Sequence, residues 1–399
     1  MSSEVPAQYR RVLSGMRPTG KLHLGHYHGV LKNWVDLQQE YKCHFFVADW
    51  HALTTHYEDP SIIADSTWDM VVDHGLADLF IQSSIPEHAE LHLLLSMITP
   101  LGWLERVPSY KDQQEKLKEM DLATYGFLGY PLLQSADILI YKAGLVPVGA
   151  DQVAHVELTR EVARRFNYLY GRGLDFEEKA EAAIKKMGKK NAKIFNKLRS
   201  SFQENGDQEA LGVARALLEA QQNITVGDKE RLFGYLEGSG RVILPEPIAL
   251  LTKASKMPGL DGQKMSKSYN NTIALRDEPE EVEKKLRTMP TDPARVRRTD
   301  AGDPAKCPVW QFHEVYSEEG VRNWVQEGCK SASIGCIDCK QPVIDAVLRE
   351  LKPMQERAKE YTEQPELVRS IINEGTEKAR DLAKETLEEV KSAMGINNV

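Results

Sequence analysis

The chain contains no apolar run of about 18 residues, so a membrane-spanning helix is not expected anywhere in its 399 residues. The stretch Met1-Ser2-Ser3-Glu4-Val5-Pro6 lacks a positive region leading into an apolar segment, which argues against a secretory signal and for a cytoplasmic protein. Cysteine is scarce. Five in a chain of this length, an odd number, argue against a disulfide framework and leave reduced thiols or metal ligands. Basic charge is not in excess either, because 51 Lys and Arg stand against 59 Asp and Glu for a formal net charge of −8. A nucleic-acid partner would have to meet a local basic patch. Internal repeats are missing as well.

What is present is the composition of a soluble globular protein, 41% hydrophobic and 28% charged, long enough for two or three domains. Arg11–Gly15 reads as a short buried strand, followed by a loop at 16–22 and a helix from His23 to about Glu40, with Leu24, Tyr27, Leu31, Trp34 and Leu37 at helical spacing. Cys43–Asp49 is a compact apolar run suited to a parallel strand. Residues 61–78 read as helix, Leu79–Gln82 as strand and Ala89–Ile98 as helix. This alternation predicts a Rossmann-like, doubly wound parallel α/β sheet over 1–170. Residues 171–241 are polar and helical in character, with Lys185, Lys186, Lys189, Lys190, Lys193, Lys197 and Arg199 crowded together and Ile184, Met187, Ile194, Phe195 and Leu198 between them. They read as a helical insertion. The basic stretch suits a tRNA backbone or, equally, a solvated helix face. The α/β pattern resumes at 242–275, and 276–399 reads as an all-helical C-terminal domain, with helices at Glu278–Met289, Val309–Gly320, Gln341–Gln355 and Leu367–Met394.

Two short stretches carry the chemistry. In Pro18-Thr19-Gly20-Lys21-Leu22-His23-Leu24-Gly25-His26, glycines permit close approach at a helix start, whose free N–H groups suit phosphate. His23 and His26, three apart, could donate to phosphate oxygens; the plain alternatives are histidines of no catalytic role or metal ligands. In Lys264-Met265-Ser266-Lys267-Ser268, two ammonium groups sit between Gly259 and Gly262 on one side and Asn270-Asn271 on the other. That setting predicts a mobile loop able to stabilise a pyrophosphate leaving group, the plain alternative being an exposed lysine turn. Four thiols, Cys307-x21-Cys329-x6-Cys336-x2-Cys339, have spacing used for zinc or for an iron–sulfur cluster. The fifth, Cys43, lies in a predicted core strand.

The order HLGH then KMSKS resembles a class I aminoacyl-tRNA synthetase. Ser14–Gly20, Ala136-Asp137-Ile138-Leu139, Val146–Gln152 and His155–Arg160 resemble the bacterial tryptophanyl branch over about 1–170 and 242–399. The resemblance implies activation of L-tryptophan by ATP with Mg2+, transfer to tRNA(Trp), a homodimer and an anticodon-reading C-terminal domain. Carried over by position, it implies ATP contacts from Arg17, Pro18, Thr19, Gly25, His26, Gly149, Ala150, Asp151, Met257, Lys264, Met265, Ser266, Lys267 and Ser268, with His26, Lys264 and Lys267 catalytic. Ala150 stands where the family usually has glutamate, which implies a backbone contact there.

For the amino acid, the resemblance implies Asp137 as acceptor of the indole N–H, with Tyr130, Gln134, Gln152 and His51 around it. Tryptophan's side chain has one donor and no acceptor, so a carboxylate suits it. Asp137 could otherwise cap a helix before Ile138. Gln134 stands where many members have methionine and is similar to the tyrosyl branch, so a tyrosyl enzyme is one alternative. A nucleotidyltransferase or non-charging RNA-binding relative is another. A subset of the tryptophanyl branch holds a [4Fe-4S] cluster on a cysteine pattern like that of Cys307, Cys329, Cys336 and Cys339; structural Zn2+ is the alternative.

Overall fold

The protein is described here from a computed structural model covering residues 10–74, 79–108, 124–173, 175–238, 240–251 and 257–396. Met1–Pro6 and the end of the predicted 61–78 helix lie outside these residues. Five strands form one parallel sheet: β1 (Arg11–Met16), β2 (Lys42–Val47), β3 (Leu79–Ile81), β4 (Leu145–Val148) and β5 (Ile248–Leu251), in the order β3-β2-β1-β4-β5. β2 is buried from Cys43 to Val47, as a strand covered on both faces must be. The winding reverses between β1 and β4, and in such sheets the crevice beyond the strands' carboxyl ends at that point receives the ligand.

Between β1 and β2 lie α1 (Leu24–His26), a π-helical turn at Tyr27–Leu31 and α2 (Lys32–Leu37). The single helix expected from His23 to Glu40 is therefore interrupted by the wide turn, a feature frequent at functional sites. Trp34 of α2 stacks on Phe45 of β2 at 4.4 Å. α3 (Asp49–Leu53) and α4 (Ser61–His74) lead to β3. α5 (Glu87–Ser96), α6 (Leu101–Glu105), α7 (Tyr125–Leu128) and α8 (Tyr130–Ile140) lead to β4, and α9 (Val153–Tyr170) follows it.

The insertion is four helices: α10 (Phe176–Lys186), α11 (Lys189–Asn205), α12 (Gln208–Glu219) and α13 (Val226–Glu237). They close on a core of their own that includes Ile184, Phe195, Leu218 and Leu232. Of the apolar residues expected inside, Ile194 is 40% exposed. The two ends of the insertion meet where the Arg241 N–H donates to the Gly171 carbonyl at 2.8 Å. The chain then re-enters beside the start of β4, where the Ile248 N–H donates to the Gly144 carbonyl at 2.8 Å. Both junctions lie at the amino edge of the sheet, opposite the crevice.

The C-terminal helices are α14 (Pro279–Arg287), α15 (Pro308–Tyr316), α16 (Glu319–Lys330), α17 (Cys336–Glu363) and α18 (Pro365–Met394). The helix expected over Val309–Gly320 breaks at Ser317-Glu318, both extended, and α17 runs through Pro342 and Pro353 beyond its expected ends. These helices cover the sheet on both faces. Ala379, Ala383, Leu387 and Val390 of α18 join the core with Leu91, Leu139 and Val156. Val343, Val347 and Leu351 of α17 join Leu24, Trp34 and Phe45 on the other face.

α18 lies directly over the edge strand β3, an arrangement that protects an otherwise open edge. At Gly375 the approach is so close that a Cβ would stand 2.3 Å from the Leu79 carbonyl oxygen. Gly375→Ala is expected to lower stability by about 1–3 kcal/mol, because two backbones must separate; urea denaturation followed by circular dichroism measures it.

Candidate active site

The loop after β1 opens the site. Thr19 turns back on the Arg17 carbonyl, and the Gly20 N–H donates to Ser66 Oγ of α4 at 2.7 Å. Gly20 has φ +104°, a conformation L side chains rarely adopt. His23 caps α1, its Nδ1 accepting from the Gly25 N–H at 3.1 Å. His26 Nδ1 accepts from the His23 N–H at 3.2 Å, and the two rings lie 3.8 Å apart. With both Nδ1 atoms accepting, Nε2 of each ring carries the proton and is left to donate. Burial, then the positive charge of neighbouring groups, pushes His23 down to about 4 and His26 down to about 3. Both are neutral at pH 7, so the histidines bring N–H donors to the site, and its positive charge comes from the lysines.

The second signature is built onto the first. The Leu24 N–H donates to the Ile273 carbonyl and the Leu275 N–H to the Leu22 carbonyl, each at 3.0 Å, making an antiparallel bridge between His23 and Ala274. The KMSKS segment is hydrogen-bonded to the residues that flank it. Buried Asn271 accepts from the Ser266 N–H at 2.8 Å and donates to Asp261 and the Lys264 carbonyl, while the Gly259 N–H bonds the Gln263 carbonyl. Met257 and Met265 are buried under it, and Met265 Sδ lies 3.3 Å from the Gly25 N–H. Lys267 Nζ donates to the Thr19 carbonyl at 2.9 Å; desolvation lowers its pKa to about 8. Lys264 is exposed, and Ser268 sits in the short helical turn Lys267–Tyr269. On the far side, Gly149 starts the turn Ala150–Gln152 after β4, and Asp151 accepts from Gln152 at 3.3 Å. Arg17 and Pro18 belong to the β1 loop, and the charge of Arg17 is felt at Tyr130.

Tyr130, Gln134 and Asp137 share one face of α8, four and three residues apart. Asp137 is fully buried in the interior of this helix, which removes the reading of it as a cap. It accepts from His51 Nε2 at 2.7 Å, from His88 Nδ1 at 2.6 Å and from Gln82 Nε2 at 2.9 and 3.0 Å. Burial opposes ionisation here, but the bonds from His51 and His88 outweigh it and hold the carboxyl well below its usual range. His88 Nε2 pairs with the Tyr141 hydroxyl at 2.6 Å. The His51 ring lies 4.3 Å from Tyr130, while Gln134 Oε1 accepts from His155 Nδ1 at 2.7 Å. Gln82, His88 and Tyr141 were not singled out from the sequence; the only hint was that Gln82 ends a predicted strand, where α/β sheets place functional side chains.

The four cysteines come from three segments. Cys307 precedes α15, Cys329 lies near the end of α16, and Cys336 and Cys339 lie in the first turn of α17. Cys339 is pushed up to about 12 by burial and then by Cys307, Cys329 and Cys336. The Arg295 guanidinium is 3.7 Å from Cys329 Sγ, and His313 Nε2 is 3.5 Å from Cys339 Sγ. Among the described residues no three His, Cys, Asp or Glu side chains stand close enough to form a metal-binding group.

The family described as class I tRNA synthetases (W and Y) matches residues 7–195 and 220–352, leaving out a part of the insertion. A tryptophan–tRNA ligase of Ralstonia nicotianae is 67% identical over 393 residues, covering 97% of this chain and 98% of that one. The chain belongs to the bacterial class I tryptophanyl-tRNA synthetases. A tryptophan–tRNA ligase of Thermotoga maritima is 44% identical to this synthetase over 395 residues, with 97% and 99% covered. The crystal structure of a tryptophanyl-tRNA synthetase from Campylobacter jejuni, complexed with ADP and tryptophan, superposes on it with a TM-score of 0.72 at 26% identity, covering 96% of this chain and 99% of that one. The synthetase is a tryptophan–tRNA ligase: it activates tryptophan with ATP and transfers it to tRNA. No helix among its described residues is long and apolar enough to cross a membrane.

The Lys267 ammonium is intact below its pKa of about 8 and is lost as pH rises through that value. In pyrophosphate exchange, kcat/KM for ATP reports the free enzyme. It is expected to fall above pH about 8, and Lys267→Arg is expected to move that alkaline limb upward.

Proposed function

We propose that the crevice beyond β1 and β4 holds ATP and that the buried Asp137 end of α8 reads the indole of L-tryptophan. The observation that carries this reading is an ionised carboxylate with no exposure, surrounded by donors and bordered by an aromatic ring. The tryptophan carboxylate attacks the α-phosphate of ATP, with Mg2+ accompanying the nucleotide. The P–O bond to the β-phosphate breaks, giving tryptophanyl-adenylate and pyrophosphate. A terminal ribose hydroxyl of tRNA(Trp) then attacks the adenylate's acyl carbon and AMP leaves.

Catalysis is positioning and electrostatics. Neutral His26 donates an N–H to a phosphate oxygen, Lys264 and Lys267 stabilise the charge on the departing pyrophosphate, and Arg17, Pro18 and Thr19 bound the nucleotide. Gly25 allows close approach, Met265, Ser266 and Ser268 complete the lysine segment, Met257 packs near adenine, and Gly149, Ala150 and Asp151 hold the ribose. Tyr130, Gln134, Gln152 and His51 surround the amino acid. Lys267 already rests on the Thr19 carbonyl, so ATP would exchange a neutral acceptor for a phosphate.

The same reading gives 276–399 to anticodon recognition and makes the active form a cytoplasmic homodimer. Leu93 on α5, Met97 just after it, Leu101 on α6 and Tyr125 on α7 are exposed apolar residues suited to a subunit contact. The insertion joins at the sheet edge away from the crevice, which favours a solvated face for its lysines over contact with the tRNA acceptor end.

We infer further that Cys307, Cys329, Cys336 and Cys339 hold a [4Fe-4S] cluster, with structural Zn2+ as the alternative. What supports this is the spacing of the four cysteines and the mutual charge felt by Cys339, Cys307, Cys329 and Cys336; their side chains, as they stand among the described residues, are not drawn together into a formed metal group. Such a centre would cross-link α15, α16 and α17, and the reaction above takes no electron from it.

Pyrophosphate exchange with tryptophan and tyrosine in parallel tests the assignment. Tryptophan is expected to support it, and Asp137→Ala is expected to lower kcat/KM for tryptophan by about a hundredfold while KM for ATP holds, because buried donors lose their acceptor. An unchanged kcat/KM would remove Asp137 from the pocket. Iron and sulfide analysis of anaerobically purified protein is expected to find the cluster and to lose it in Cys336→Ser; stoichiometric zinc in a colourless, active protein overturns that part.

A further inference from the structure

The carboxylate of Asp137 has no lone pair to spare among its own protein contacts. Two oxygens offer about four acceptor sites, and His51, His88 and both approaches of Gln82 Nε2 take them. If Asp137 reads the indole N–H, as proposed above, one of these donors has to leave.

The three donors are not held alike. His88 is fully buried and pinned at both ring nitrogens, by Asp137 and by the Tyr141 hydroxyl. Gln82 is fully buried, and its amide bridges both carboxylate oxygens. His51 reaches Oδ2 through Nε2 alone. Its Nδ1 is buried and meets no hydrogen-bond partner among the described residues, and its ring lies against Tyr130, a pocket side chain.

We propose that His51 is a placeholder for the substrate. In the free synthetase it occupies the Oδ2 position that the indole N–H takes on binding, and tryptophan displaces it while His88 and Gln82 stay as a fixed clamp. The exchange keeps the buried carboxylate hydrogen-bonded before and after binding. A side chain of similar shape that lacks the N–H gains nothing by displacing His51 and leaves it on Oδ2, so no charged oxygen goes unpaired in either case. His51 also damps selectivity, since part of the indole bond replaces one already made.

The test compares tryptophan with its benzothiophene analogue, in which sulfur replaces the N–H, by equilibrium binding. Wild-type protein is expected to prefer tryptophan. In His51→Ala the analogue leaves Oδ2 without a partner while tryptophan supplies one, so the preference is expected to rise by about tenfold. A preference that stays the same or falls overturns the proposal.

Asp137→Ala in the same assay separates the two levels. Collapse of the preference keeps Asp137 as the reader, so an unchanged His51→Ala then counts against the placeholder alone; a preference that survives Asp137→Ala removes the underlying reading. A measurement without substitution guards against misfolding. With 15N-labelled histidine, tryptophan is expected to shift the His51 Nε2 resonance out of its carboxylate-bonded position, and the analogue is not. An unmoved resonance under saturating tryptophan would send the N–H elsewhere, to the unpartnered Gln82 Oε1 for example, and ends the proposal.

Discussion

The antiparallel bridge between His23 and Ala274 is the constraint on which the catalytic arrangement rests. Its two backbone bonds, Leu24 to Ile273 and Leu275 to Leu22, join segments far apart in sequence. Everything on the phosphate side follows from that join. Met265 is carried under Gly25, Lys267 reaches the Thr19 carbonyl, and the lysine charges fall near two histidines whose burial keeps them neutral. Backbone pairing suits this purpose because it fixes register without using the side chains that the chemistry needs.

The amino-acid side is organised differently, around one buried charge. Removing a carboxylate from water is costly unless donors surround it, and here the donors come from α3, from Gln82 just after β3 and from α5, while Asp137 itself rides on α8. Four separately encoded pieces of chain must arrive together for the carboxylate to be tolerated. On the proposed reading of Asp137, the specificity of the pocket and the integrity of this part of the fold depend on the same hydrogen bonds.

Much of this was visible before the fold was known. Apolar runs marked β1 and β2, helical spacing marked α2, and motif resemblance marked Asp137, Tyr130 and the lysine segment. Gln82 and His88 were not visible, because a single polar residue in an apolar stretch has no periodicity, and what it does appears only when it meets a partner from another element. The π-helical turn adds less than one residue to a helical repeat and leaves the apolar spacing almost unchanged. The break at Ser317-Glu318 escaped for a similar reason, since the apolar pattern continues across it. Asn271 looked like a marker of mobility, and its amide instead bonds the loop together. The lysines at 185–197 left a tRNA contact and a solvated face equally open, and only the topology of α9 and β5 shows which end of the sheet they occupy.

The stem of that insertion has a wider meaning. Its two ends meet at the bond from the Arg241 N–H to the Gly171 carbonyl, and its apolar residues build a core of their own. Such a site behaves as a docking port in the history of a chain: material can be gained, lengthened or lost there while the machinery at the opposite rim of the sheet goes on unaltered.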